Sequence, residues 1–304
     1  MTLDATAEIA EISARPRPLS ERDLGRLAVL RHEVARSRVT QTHSLMPPAP
    51  GEDLFEGVKG VPEISRADLT ARHLACGLRH HGALLVRGLV ATPDVERLRS
   101  LIDGIDRGMP LCPQDATGEP LPGSTPMKCS AAALQGLVEA YQNAGMAALM
   151  RDYLGEPPVL LSERLQVDRQ TFGKGLTWHQ DGAFFGGNVG AVNSFLALAP
   201  CGVNAAGLTV AAHRFNEVVG VETGERANLN YGSSLTDQQV REMAGPDSVV
   251  TPALEAGDAI LIDEMTMHRT GRPPKTDPQP RSWAITWFFA PSRFPAQRHP
   301  LWFG

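Results

Sequence analysis

Apolar positions along the chain fall into two regimes. In the first half they recur at helical spacing. Residues 19–40, "LSERDLGRLAVLRHEVARSRVT", bring Leu24, Leu27, Leu30 and Val34 to one face, behind a Ser20 placed to cap an acidic first turn. Residues 66–80 predict a second helix. "TPDVERLRSLIDGID", 92–106, predicts a third, with proline at its first helical position and Val95, Leu98, Leu101, Ile102 and Ile105 in period. "ALQGLVEAYQNAGMAALMRDYLG" reads as one helical pattern ending at Gly155. Among these helices, "GALLVRGLV", 82–90, has the length and bounds of a buried strand. "MPPAPGEDLFEGVKGVP" is a proline- and glycine-rich connection, and 107–130 is an aperiodic stretch long enough to serve as a lid. From "PPVLLSERLQVDRQ" onward the pattern changes to short β-rich runs bounded by glycine and proline: "AVNSFLALAP", "GLTVAA", "AILIDEMTMH" and "RSWAITWFFA". Helices gathered first and strands after them predict an α+β protein with an antiparallel sheet system.

Composition adds mainly exclusions. With 42% hydrophobic and 21% charged residues in 304, the chain can bury a sizeable core. A net charge of -5 and the lack of an aromatic-interleaved basic patch argue against nucleic acid or an anionic membrane as partner. No apolar run approaches the roughly 20 residues of a membrane span. No basic segment followed by an apolar run opens the sequence, which predicts a cytoplasmic protein. Cys76, Cys112, Cys129 and Cys201 lie far apart without a CxxC pair and read as isolated thiols in a reducing compartment.

Candidate chemistry centres on "TWHQDGAF", residues 177–184. In a strand, His179 and Asp181 project from one face while Trp178 and Gln180 face the other way. Such a pair can bind a metal, relay a proton or simply hydrogen-bond. "LEAGDAILIDEMTMHRTGRPP" offers a partner, because His268 stands at the end of its strand. Two histidines and a carboxylate on one side of a metal leave the opposite positions open, as in the facial triad of non-haem Fe(II) oxygenases. The same residues also suit a zinc hydrolase, or a metal- or ligand-binding module without turnover. Arg281 opens "RSWAITWFFA" and is expected in the sheet near the metal if its strand pairs with that of His268. A buried guanidinium needs an anion, and its planar fork suits a small dicarboxylate. His32, His43, His73, His80 and His81 have no carboxylate at strand spacing and read as ordinary surface or core residues.

Taken together, "HHGALLVRGLVATPDVERLRSLID", "TWHQDGAF", "LALAPCGVNAAGLTVAAHRF", "LEAGDAILIDEMTMHRTG" and the arginine of "RSWAITWFF" resemble the phytanoyl-CoA dioxygenase group of Fe(II)/2-oxoglutarate-dependent oxygenases, over residues 74–292. The resemblance implies a double-stranded β-helix (jelly-roll, cupin-like) core with flanking helices. It divides the chain into an N-terminal helical extension, 1–70, and a dioxygenase domain, 71–304. It implies His179, Asp181 and His268 as Fe(II) ligands, with 2-oxoglutarate and O2 as co-substrates. Arg281 would hold the distal carboxylate of 2-oxoglutarate, helped by Thr270. Trp178, Phe184, Phe185 and Asn188 are expected to wall the substrate pocket, and glycines 182, 186, 187 and 190 to let their loop move over the iron. Two segments depart from the family. "AAHRF" stands where a proline-glycine-serine-histidine motif is usual, with His213 the one match, and "APCGVNAAG" replaces an acidic stretch. Both lie where substrates are shaped, so a CoA thioester does not carry over. A free small molecule, such as an intermediate of secondary metabolism, is the expected substrate. Hydroxylation with release of succinate and CO2 is the expected outcome, with desaturation, epoxidation or cyclisation as alternatives.

Overall fold

In the computed structural model of the protein, residues 4–40, 51–106, 131–161, 166–170, 177–185, 187, 189–219, 235–271, 281–296 and 298–304 are described. The chain opens with α1 (Ala5–Ser13) and α2 (Glu21–Arg38). Ser20 caps α2 by accepting the Asp23 backbone N–H at 3.1 Å. A short strand, β1 (Glu63–Ser65), precedes α3 (Ala71–His81), β2 (Ala83–Arg87) and α4 (Thr92–Asp106). The single helix expected before Gly155 is two, α5 (Ala131–Asn143) and α6 (Met146–Leu154). Gly145 separates them in the left-handed conformation at φ 81°, a cheap break for a residue without a Cβ. The 107–130 stretch falls outside the described residues.

The second half supplies β3 (Val159–Leu161), β4 (Gln166–Gln170), a single turn α7 (Gly182–Phe185), β5 (Val192–Ala197) and β6 (Leu208–Arg214). After α8 (Asp237–Ala244) come β7 (Val249–Val250), β8 (Ala259–Asp263), β9 (Thr266–Thr270), β10 (Arg281–Phe289) and β11 (Pro300–Trp302). The larger sheet runs β1-β2-β8-β5-β10-β3-β11, with β4 also paired to β10; the smaller runs β7-β6-β9. Apart from the parallel pair β1–β2, the pairings are antiparallel. This is a double-stranded β-helix flanked by helices.

Strand alternation sorts the core into two layers. Leu84, Val86, Val192, Leu196, Leu261, Ala284 and Phe288 turn outward from the larger sheet. There they meet Leu74, Leu78, Leu98, Leu137, Tyr141 and Met150 of the helices. On its other face Phe195, Ile260, Ile262, Trp283 and Ile285 pack with Leu208 and Val210 of the smaller sheet. The N-terminal helices share this second cluster through Ile9, Ile12, Leu27, Leu30 and Val34. Arg31 is buried beside them, donating to the Trp302 carbonyl at 2.9 Å and to Gln135 Oε1 at 3.3 Å. Burial pulls its pKa down to about 10.

The run "AILIDEMTMH" is not one strand. Asp263, Glu264 and Met265 carry the chain from β8 in the larger sheet to β9 in the smaller. Asp263 organises the corner by accepting the Met265 N–H at 2.8 Å and Arg214 Nε at 2.9 Å. His268 therefore sits in the middle of β9 rather than at a strand end. Where α3 turns into β2, Gly82 has φ 74°, and a Cβ there would stand 2.7 Å from the His213 carbonyl oxygen. Gly82→Ala is expected to destabilise the fold by about 2 kcal/mol or more, through both backbone strain and overlap. A denaturant midpoint matching the wild type would contradict this close approach.

Candidate active site

His179 and His268 are joined first by their backbones. Each donates its N–H to the other's carbonyl at 2.9 Å, forming an isolated antiparallel bridge that fastens the "WHQD" segment to β9. The expected strand through His179 and Asp181 is thus a single bridge, followed at once by a turn into α7. His268 lies 1% exposed and Asp181 1% exposed, with His179 at 8%. The two imidazole rings are 4.2 Å apart between centroids.

Each side chain is oriented by a second contact. His179 Nδ1 lies 2.8 Å from the Thr177 carbonyl oxygen and His268 Nδ1 3.0 Å from that of Thr266. A carbonyl only accepts, so each Nδ1 carries the proton and each Nε2 keeps its lone pair. Asp181 Oδ2 accepts from Asn193 Nδ2 at 2.8 Å and from Trp287 Nε1 at 2.9 Å. Its Oδ1 stands 3.9 Å from His179 Nε2 and 3.8 Å from His268 Nε2. These separations are too long for hydrogen bonds. They leave room for one ion between the three atoms, which would draw them slightly closer. The three ligand atoms lie within 4.8 Å of one another, so the chain carries a His-Asp-His triad able to bind a metal.

Residues between and around the ligands hold the frame. Gln180 faces away, donating to the Met265 carbonyl at 2.8 Å and the Glu217 carbonyl at 3.0 Å while accepting the Val219 N–H at 2.7 Å. Trp178 is placed on the outer side of the smaller sheet, with Ala211, Phe215, Val240 and Met267. Its Nε1 donates to Asp237 Oδ1 at 2.8 Å, and Arg269 reaches Oδ2 of the same carboxylate at 3.0 Å. The expectation of Trp178 as a pocket wall is corrected by this alternation, since neighbours of a ligand on a strand point the other way. Asp237 of α8 grips the residue before His179 and the residue after His268. That contact is not legible in the sequence.

Phe184 stays at the site, its ring 5.9 Å from that of His179. Phe185 instead packs edge-on against Phe289 at 5.0 Å. Asn188 and Gly186 fall outside the described residues. The glycine-rich loop expected to move is tied at several points. Gly182 N–H donates to the Glu264 carbonyl at 2.8 Å, and Gly190 N–H to Glu264 Oε1 at 2.6 Å. Arg293 holds the Val189 carbonyl at 3.0 Å and Arg298 that of Phe184 at 3.3 Å. Burial, and then the neighbouring Asp263 carboxylate, hold the Glu264 carboxyl well above the usual range.

Arg281 is 5% exposed, but its strand does not pair with that of His268. β10 pairs with β5, β4 and β3, whereas β9 pairs with β6. The two residues are linked across the interior instead, through edge-on rings. Phe195 lies 6.0 Å from the His268 ring and 5.8 Å from Trp283, whose face carries the Arg281 guanidinium at 3.5 Å. Thr270 is buried two residues past His268 on the same face of β9. Cys201 is near enough to Arg281 to feel its charge, yet burial pushes its thiol up to about 11. Trp283 Nε1 is buried and has no hydrogen-bond partner among the described residues.

Fold and triad together define the class: a double-stranded β-helix with a mononuclear metal site between its two sheets. The sequence model of the phytanoyl-CoA dioxygenase (PhyH) family matches residues 78–274, well over half of the chain, and the protein belongs to that family of dioxygenases. No curated protein matches the sequence. Solved structures match in fold. The epimerase SnoN, in complex with Fe3+, alpha ketoglutarate and nogalamycin RO, is 18% identical with a TM-score of 0.53, over 72% of this chain and 83% of its own. EctD from S. alaskensis, with 2-oxoglutarate and 5-hydroxyectoine, is 16% identical with a TM-score of 0.55, over 82% and 84%. AviO1 from Streptomyces viridochromogenes Tue57 is 17% identical with a TM-score of 0.50, over 72% and 94%.

Two measurements follow from this geometry. Trp287→Phe removes one of two donors that turn Asp181 Oδ1 toward the histidines, and should weaken Fe(II) or Co(II) affinity by about 10–100-fold. Unchanged metal titration would show that Asn193 alone suffices. Glu264→Gln keeps a carbonyl acceptor for Gly190 without an ionisable group. The folded-state pKa of Glu264 is raised, so its contribution to stability is complete below the ordinary value of 4.5 and is lost as pH rises through the raised one. The thermal midpoint of the wild type should therefore fall relative to that of Glu264→Gln as pH is raised from below 4.5 through the raised value. Parallel curves would exclude this assignment.

Proposed function

We propose that the protein hydroxylates a small organic molecule, using Fe(II), 2-oxoglutarate and O2 and releasing succinate and CO2. The observation that carries this reading is the convergence of two Nε2 lone pairs and one carboxylate oxygen, each held by contacts on its far side. His179, Asp181 and His268 would hold the iron from one side, leaving the opposite positions for co-substrates. Iron bound there supplies the redox chemistry by which one O2 oxidises 2-oxoglutarate to succinate and CO2 and places one oxygen atom in a substrate C–H bond.

The chain's own residues bind and orient. Arg281 would receive the distal carboxylate of 2-oxoglutarate, its guanidinium plane set by stacking on Trp283. Trp283 Nε1 supports this fit, because a buried donor without an acceptor among the described residues is one that a ligand oxygen can satisfy. Thr270 can offer a hydroxyl from the facing sheet. Phe195, Ile260, Ile285 and Leu208 make the surroundings apolar and exclude water from the reaction. Phe184, beside His179, is the residue retained from the expected substrate wall. The buried free thiols Cys76 and Cys201 support a reducing, cytoplasmic setting.

Screening small metabolites for substrate-stimulated succinate release, with Fe(II) and 2-oxoglutarate present, tests the reaction directly. His179→Ala and His268→Ala should each abolish that release, and near-normal release at modest iron from either variant would refute the ligand assignment. Arg281→Lys keeps the charge but loses the planar fork. Its apparent 2-oxoglutarate affinity should drop on the order of tenfold, with Arg281→Ala lower still and metal binding little changed. Unaltered 2-oxoglutarate saturation in both would mean that a different cation anchors the co-substrate.

A further inference from the structure

A second group of metal-ligating side chains lies away from the triad, where the segment 51–58 crosses α3. Cys76 and His80 are four residues apart on α3, one turn above the other on the same helix face. Asp53 reaches them from the crossing segment. The Cys76 Sγ, a His80 ring nitrogen and an Asp53 carboxylate oxygen all lie within 4.8 Å of one another. Among the described residues, this cluster and the triad are the two groupings with that spacing. Cys76 is fully buried, and its thiol donates to the Glu52 carbonyl at 3.4 Å, a proton that metal binding would release.

The ligand arm from the crossing segment is already positioned. Asp53 Oδ1 accepts the Phe55 N–H at 2.9 Å, and Oδ2 lies 3.0 Å from His81 Nε2. The Phe55 ring sits 6.1 Å from each of the His73 and His81 rings, which seats the segment on α3. From this juxtaposition we propose that Asp53, Cys76 and His80 form a second metal site for a thiolate-seeking divalent cation of the zinc type. Thiolate, carboxylate and neutral imidazole together carry two negative charges, which balance such an ion. One solvent position completes a tetrahedron. Binding displaces the Cys76 thiol proton to solvent, so it releases acid and tightens as pH rises. His81, bonded to the same carboxylate, orients Asp53 from behind. The ion would staple the 51–58 segment to α3 and, through α3, to the Gly82 corner. This inference does not rest on the oxygenase reading.

Cobalt separates the two sites by their ligands. A thiolate bound to Co(II) gives a near-ultraviolet sulfur-to-metal absorption that nitrogen and oxygen ligands do not. The triad contains no sulfur. The full-length chain, stripped of metal, is titrated with Co(II) under reducing conditions, alone and after His179→Ala. Both should show the sulfur band, and added Zn(II) should displace it. Cys76→Ser should remove the band while leaving binding at the triad, and His80→Ala should weaken the band-forming affinity by about 10–100-fold. In the His179→Ala background zinc should raise the thermal midpoint, and adding Cys76→Ser should remove that rise, with far-ultraviolet circular dichroism reporting whether the double variant folds. The proposal fails if no sulfur band forms in the wild type. A band that survives Cys76→Ser overturns it equally, because another cysteine would then be the ligand.

Discussion

The backbone pair between His179 and His268 is the constraint on which the rest of the site depends. It fastens an otherwise irregular segment to β9, so that two ligands separated widely in the chain share one bridge. The third ligand is secured from the opposite sheet. Asp181 reaches Asn193 on β5 and Trp287 on β10, so its carboxylate spans the space between the sheets. A change in sheet separation would therefore alter the triad directly. Hydrogen bonds to a buried carboxylate are strong and directional, which makes this link a stiff one.

That stiffness is reinforced by the corner between β8 and β9. Burying Asp263 and Glu264 is unfavourable without compensation. Asp263 is compensated by Arg214, while burial and the neighbouring Asp263 push the Glu264 carboxyl well above the usual range. The Glu264 side chain and backbone then receive two N–H groups of the glycine-rich loop that follows the ligands. A loop whose composition suggests mobility is thereby anchored from the corner and, by Arg293 and Arg298, from the C-terminal segment. Pre-setting the ligand frame in this way limits the reorganisation that metal and co-substrate binding require.

The interior between the sheets has a graded polarity. At one end lies the triad, at the other Arg281 on Trp283, and between them Phe195. Stacking holds the guanidinium plane without using its hydrogen-bond donors. The co-substrate would then span a gap whose two ends belong to different sheets. Closure of the β-helix, rather than any one strand, sets that distance.

Local rules made much of this legible. Ser20 and the leucines of α2, the proline at the start of α4, and the alternation along β5 and β10 act over a few residues, so the sequence determined those elements by itself. It also determined the chemistry of the triad, because histidine and aspartate two apart, a later histidine and a following arginine are few enough to stand out. Tertiary structure decided what depends on which strands pair. A period of two tells that Trp178 and His179 point to opposite sides, but not that the Trp178 side is filled by α8. It tells that Arg281, Trp283 and Trp287 share a face, but not that this face looks across at β9 from the other sheet. The second contacts of Asp181, from Asn193 and Trp287, and the grip of Asp237 on the neighbours of the two histidines are made by common residues at no fixed spacing. Only the folding of distant segments against each other, driven by burial rather than local propensity, brings those residues to the metal site.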